Sequence, residues 1–138
     1  MSTQFKHLGS LVGGLGAAAL LLVSGCGKSG AQKDLPVPKT TKQAATQLDQ
    51  VFAAATAEAS PEVKQNAAVA SQALRSGEYE TAIVSLSAIK ESRNLTLDQG
   101  MAVYNSMAAL RGKILADMEA GDPNAKRAFE MLKKMKRD

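Results

Sequence analysis

A single cysteine, Cys26, and a single histidine, His7, are the only thiol and imidazole in this chain. A protein-only zinc site draws on three or four such ligands and a thiol protease on a Cys/His pair, so both chemistries have almost nothing to be built from. A lone cysteine cannot close an internal disulfide either. Tryptophan is absent, and three Phe and two Tyr are the only aromatics. Alanine is abundant while β-branched and aromatic residues are sparse, a bias towards helix, because Ala loses no side-chain entropy there. Almost no sheet is expected. The charge is lopsided as well as small: of a formal +4, the segment Lys126 to Asp138 carries six Lys or Arg against two acids, and the rest is close to neutral.

Catalytic carboxylates are equally hard to assemble. Glu78 and Glu80 flank Tyr79, and Asp117 and Glu119 sit near a helix end, but residues two apart point in different directions on a helix. A glycosidase needs two carboxyls facing one another across a cleft. No Ser or Lys lies in a recognisable nucleophile pattern, so the expectation is a protein that is not an enzyme and uses no cofactor or metal.

The stretch Leu20 to Gly30, LLLVSGCGKSG, ends like a phosphate-binding loop. That loop requires G-x-x-x-x-G-K-[ST], with glycines that let backbone N–H groups close round phosphates and a Lys that neutralises them. Gly27-Lys28-Ser29 supplies the end of the pattern, but the leading glycine falls at Leu22. The residues after Ser29 contain Pro36 and Pro38 and open no helix. Nucleotide binding is therefore not expected.

What precedes the string reads differently. Met1 to His7 is short and polar with a positive Lys6, and Leu8 to Val23 is an uncharged apolar run. These are the n- and h-regions of a secretory signal peptide, shorter than the roughly 20 residues of a spanning helix. Val23-Ser24-Gly25-Cys26 resembles the lipobox of bacterial lipoproteins: an aliphatic residue, two small residues and a cysteine. The resemblance implies cleavage between Gly25 and Cys26, a diacylglyceryl group on the Cys26 sulfur and a further N-acyl chain. A thiolate is nucleophilic enough to form that thioether readily. Two or three acyl chains hold a protein stably at a membrane where one does not. Gly27 after the cysteine, by resemblance to enterobacterial sorting, favours the outer membrane. Residues 1–25 then form a cleaved signal peptide, 26–39 a lipid-anchored flexible linker rich in Gly, Ser, Lys, Asp and Pro, and 40–138 a helical domain.

Start and stop signals divide that domain into five helices. The first spans about Thr41 to Ala59, with Ala44, Leu48, Val51, Phe52 and Ala55 at helical spacing. Ser60 and Pro61 open the second, whose stripe is Val63, Ala67, Ala70 and Leu74, and Gly77 closes it. Glu78 to Glu91 forms the third, with Tyr79, Ala82, Ile83, Leu86 and Ile89 on one face. Thr96 and Gln99 fit a capping box for a long fourth helix to about Ala120. Its apolar positions are Met101, Tyr104, Met107, Ala108, Leu110, Ile114, Leu115 and Met118. Gly121 stops it, and Asp122-Pro123 starts a fifth with Ala125, Ala128, Phe129, Leu132 and Met135 inward.

The segment ASQALRSGEYETAIVSL, Ala70 to Leu86, resembles a tetratricopeptide repeat, with Ala70, Gly77, Glu78, Tyr79, Ala82 and Leu86 in the positions that pack and turn such a hairpin. Asn66 stands where the family usually has Trp, and Asn94 where Pro often ends the repeat. A generic antiparallel helix pair with a Gly turn is the other reading. A second, degenerate copy starts near Leu97, with Gly121-Asp122 at its turn. About three repeats are needed for a continuous solenoid core, so the expected fold is all-α: a small antiparallel helical-hairpin bundle, tetratricopeptide-like, after a disordered N-terminal tether.

Function follows from these parts as an expectation. A lipid-anchored cell-envelope scaffold would bind another envelope protein or peptide in a groove between the second, third and fourth helices, near Tyr79, Tyr104 and Asn105. A different reading uses the basic last helix: Lys126, Arg127, Lys133, Lys134, Lys136 and Arg137 would touch anionic glycolipid or cell wall, at about 1 kcal/mol per cation near such a surface. The same charges also suit a solvated helix end. An exported protein has little access to nucleic acid.

Overall fold

The structure, a computed structural model, describes residues 35–54 and 59–136. The expected signal peptide with its cleavage site at Gly25 and Cys26, and the expected linker up to Asp34, lie outside the described residues, as do Ala55 and Arg137. Five helices follow one another: α1 (Thr41–Ala54), α2 (Pro61–Ser76), α3 (Tyr79–Lys90), α4 (Leu97–Glu119) and α5 (Pro123–Met135). No strand occurs among the described residues.

The helix ends are fixed by short polar side chains, as the sequence predicts. Ser60 Oγ accepts the Val63 N–H at 3.3 Å, and Pro61 occupies the first turn, where a missing N–H costs nothing. Thr96 accepts from Gln99 N–H while Gln99 Oε1 accepts from Thr96 N–H, closing the capping box in both directions. Asp122 caps α5 through the Asn124 and Ala125 N–H groups. At the other ends, Gly77 (φ +76°) and Gly121 (φ +89°) adopt the left-handed conformation. The next N–H reaches back to the final turn in each case, Glu78 to Ala73 O and Asp122 to Asp117 O, which satisfies carbonyls that would otherwise face nothing.

The first four helices pack in a ring, α1 on α2, α2 on α3, α3 on α4 and α4 back on α1, and α5 lies against both α3 and α4. The core is centred on Leu48, Leu74, Ile83, Leu86, Ile89, Leu110 and Ile114, all essentially without solvent exposure. Small residues let the helices approach. Ala44 and Ala45 of α1 are fully buried, and their carbonyls accept hydroxyls from either side, Ser106 of α4 to Ala44 O (3.5 Å) and Ser71 of α2 to Ala45 O (3.2 Å). Consecutive carbonyls of α1 are thus tied to two different neighbours, and the ring closes on α1.

Two expectations change. The packed body begins before residue 40: Leu35 is half-buried against the core, and the Gln47 side-chain amide donates to Pro36 O at 3.0 Å. The inward face of α4 also differs from the predicted one. Gln99, Ala102, Val103, Ser106, Leu110 and Ile114 face the core, whereas Met101, Tyr104, Ala108 and Leu115 are exposed. Leu110 and Ile114 are buried as expected, and on the side facing α1 the small Ser106 reaches Ala44 O.

Candidate functional site

Tyr79, Tyr104 and Asn105 do not share a surface. Tyr79 opens α3, is 7 % exposed, and its hydroxyl donates to Asp117 near the end of α4. Asp117 also accepts from Lys113 Nζ at 2.6 Å, one turn earlier on the same helix. Burial, reinforced by the hydrogen bond to Asp117 and its negative charge, pushes the Tyr79 hydroxyl up from 10 to a pKa of about 12. The bonds from Lys113 and then Tyr79 hold the Asp117 carboxyl below its ordinary value. This Tyr–Asp–Lys chain ties α3 to α4. Asn105 is buried on α4, with no hydrogen-bond partner for its side-chain nitrogen. The expected groove between the second, third and fourth helices is replaced by a ring in which α4 packs on α1 and α3.

Tyr104 remains. At 73 % exposure it is the most exposed large apolar residue in any of the five helices. It stands on a stripe with Leu97, Met101, Ala108 and Leu115, which recur at helical spacing on the side of α4 opposite the core residues Gln99, Ala102, Ser106 and Leu110. Beside that stripe runs a groove of about 540 Å³. Its floor is α4, through Gly100, Val103, Tyr104, Met107, Ala108 and Arg111, a spacing of i, i+3, i+4, i+7, i+8 and i+11. One wall is the end of α3 (Ser87, Lys90) with Leu95 of the following loop, and the other is the end of α5 (Leu132, Met135, Lys136).

Chemically the groove is apolar with a cationic edge. Lys90, Arg111 and Lys136 line it, and among the described residues no Asp or Glu does and none of the three cations has an ion-pair partner. Such a site can bind but offers no nucleophile with a positioned base. Among the described residues no cluster of His, Cys, Asp or Glu is arranged to hold a metal.

The basic residues of the last helix divide. Arg127 pairs with Glu80 of α3 (3.2 Å), and Lys133 pairs with Glu130 (3.1 Å) while lying 5.6 Å from the centre of the Phe129 ring. Lys126, Lys134 and Lys136 are exposed and unpaired among the described residues. None of the described helices is long and apolar enough to cross a membrane. Compared with protein families, with curated proteins and with solved structures, the chain matches none.

Of the groove residues, sequence reasoning had singled out only Tyr104 and Lys136 as contact positions. Lys90, Leu95 and Arg111 carried no motif. A signal for the groove was nonetheless present in α4: apolar residues on two opposite faces of one helix, where a single stripe would have sufficed for the core.

Proposed function

We propose that this protein is a non-enzymatic binding module of the bacterial cell envelope, held at a membrane by lipid on Cys26, that docks another protein or peptide along the outer face of α4. The observation that carries the reading is the second apolar stripe of that helix, Leu97, Met101, Tyr104, Ala108 and Leu115, all of it exposed and its large side chains 40–73 % so. A helix apolar on both sides requires cover on both sides, and an exposed apolar strip beside a groove is the ordinary mark of a docking surface. The lipobox Val23-Ser24-Gly25-Cys26 and the apolar run before it support the anchor, with the outer membrane favoured. The buried Ala70 and Ala82 and the left-handed Gly77 support kinship of the α2–α3 hairpin with tetratricopeptide repeats.

The second reading, a structural lipoprotein touching anionic glycolipid or cell wall through α5, draws on Lys126, Lys134 and Lys136. It is the weaker because Arg127 and Lys133 already have carboxylate partners.

Two measurements test the proposal. Mass spectrometry of the mature N-terminal peptide reads the anchor: a diacylglyceryl Cys26 as first residue is expected, and an unmodified, uncleaved chain refutes it. For docking, a photocrosslinker replaces Tyr104 in one culture and the exposed Glu62 of α2 in another. Discrete adducts at 104 only are expected; the same adducts at both positions, or none at 104, refute docking along α4.

A further inference from the structure

Building on docking along α4, we infer that the occupant of this surface is an acidic amphipathic helix of a partner protein, laid lengthwise against α4. Shape and charge select it. The apolar strip is straight: Leu97 and Ala108 are eleven residues apart on one helix, about 17 Å or three turns, and the same face continues through the cation Arg111 to Leu115. Beside it, the groove follows α4 from Gly100 to Arg111, about three turns, with side chains at the spacing that a helix presents to a neighbouring helix. Helix-in-groove recognition uses such a strip, filled by apolar anchors from the ligand at i, i+3, i+4 and i+7. Met101, Met107 and Met135 supply a deformable apolar surface there, since an unbranched thioether side chain adapts to the shape laid on it.

Charge decides which helix. All three elements that bound the groove contribute one cation, Lys90 from α3, Arg111 from α4 and Lys136 from the end of α5, and among the described residues no carboxylate lies with them. An apolar face flanked by Glu or Asp meets those cations as it docks, while a face flanked by Lys is repelled. The same rule disfavours a symmetric pairing of two copies of this chain through the groove, because each groove would then face a second set of the same cations and no described carboxylate. A lipid monolayer, the other anionic apolar partner, is planar and offers no ridge to enter a groove walled on both sides by α3 and α5.

The experiment uses the full chain in nanodiscs of zwitterionic lipid and a fluorescent fourteen-residue helical peptide with Leu at i, i+3, i+4 and i+7 and Glu on both flanks. Binding is expected in fluorescence anisotropy. The dissociation constant should rise at least tenfold when Gln or Lys replaces Glu in the peptide, and again when the protein carries Lys90→Glu, Arg111→Glu and Lys136→Glu together. Salt should weaken it, since exposed charges are screened within about 8–10 Å. Tyr104→Glu, a change at an exposed position, provides a second variant and should also lower affinity, with the helical circular-dichroism spectrum of both variants unchanged. Equal binding of the Glu, Gln and Lys peptides overturns the acidic assignment. No peptide binding, together with charge-dependent capture of phosphatidylglycerol vesicles, overturns the helix in favour of lipid. If crosslinking at residue 104 succeeds and the peptides show no charge preference, the assignment of the occupant falls and docking along α4 stands.

Discussion

The hairpins α2–α3 and α4–α5 close on the same kind of turn, a left-handed glycine followed by an N–H that reaches back into the last helical turn. They differ in what they leave outside. In α2–α3 the stripes Val63, Ala67, Ala70, Leu74 and Tyr79, Ala82, Ile83, Leu86, Ile89 are all buried, and only Val69 and Val84 of the larger apolar residues are exposed. In α4–α5 five large apolar residues are exposed, namely Leu97, Met101, Tyr104, Leu115 and Met135. One hairpin satisfies its hydrophobic pattern inside the fold and the other does not. A shared turn geometry therefore says how a hairpin closes, and nothing about how much of its apolar surface the fold uses.

Truncation in the two hairpins gives the widest contrast. Leu86→Ala and Ile83→Ala empty fully buried sites of α3, and each should cost about 2–5 kcal/mol in urea unfolding, the range for deleting buried aliphatic groups. If Leu86→Ala proves no more destabilising than Met101→Ala, the distinction between a closed and an open hairpin is lost.

The turns themselves should respond alike. At Gly77 and at Gly121 an added Cβ would meet no atom within 4 Å, so crowding contributes nothing, and the cost is that of holding an L-residue at positive φ. Gly77→Ala and Gly121→Ala should each lose about 1–2 kcal/mol. A difference of more than about 1 kcal/mol between them would show that one turn carries strain the other lacks.

Between the hairpins, Tyr79 and Asp117 form a joint with a pH signature. The folded state holds the Tyr79 proton up to about pH 12, whereas the unfolded chain releases it near 10. Stability from this group is thus complete below pH 10 and is lost as pH rises towards 12, because the unfolded state binds fewer protons in that window. Asp117 acts in the opposite direction: its lowered folded pKa gives stability above the ordinary carboxylate range that is lost on acidification through the folded value. Tyr79→Phe should cost about 1 kcal/mol at neutral pH. Its stability should also fall less steeply than the native protein's between pH 10 and 12; parallel curves would show that the hydroxyl does not couple to folding.

These differences also explain what could be read in the residues beforehand. Helix boundaries are legible because caps are local: Ser60, Thr96 and Asp122 need only residues two or three positions away, and Gly77 and Gly121 need only their own backbone. The buried stripes of α2 and α3 are legible for a related reason, since each has one apolar face. For α4 periodicity offers two faces, and the bulkier one is the natural choice for a core. Leu110 and Ile114 are buried as that choice requires, but Met101, Tyr104 and Leu115 are not, because the core lies on the side where Ser106 reaches the carbonyl of Ala44 across 62 residues of sequence. The groove is less legible still, because its cations Lys90, Arg111 and Lys136 come from three elements and acquire meaning only when α3, α4 and α5 are packed together.

The smallest effect on stability is expected where the proposed function concentrates. Met101→Gln and Tyr104→Ser replace exposed apolar groups with polar ones, remove no buried contact of the core, and should change unfolding free energy by less than about 0.5 kcal/mol. Binding of the acidic helical peptide should nevertheless weaken severalfold in each. That dissociation of stability from affinity is what separates a docking face from a poorly covered part of the core. Were either substitution to destabilise the fold as much as the glycine changes do, the outer stripe of α4 would belong to the packing of this chain, and the two hairpins would differ only in how tightly they are built.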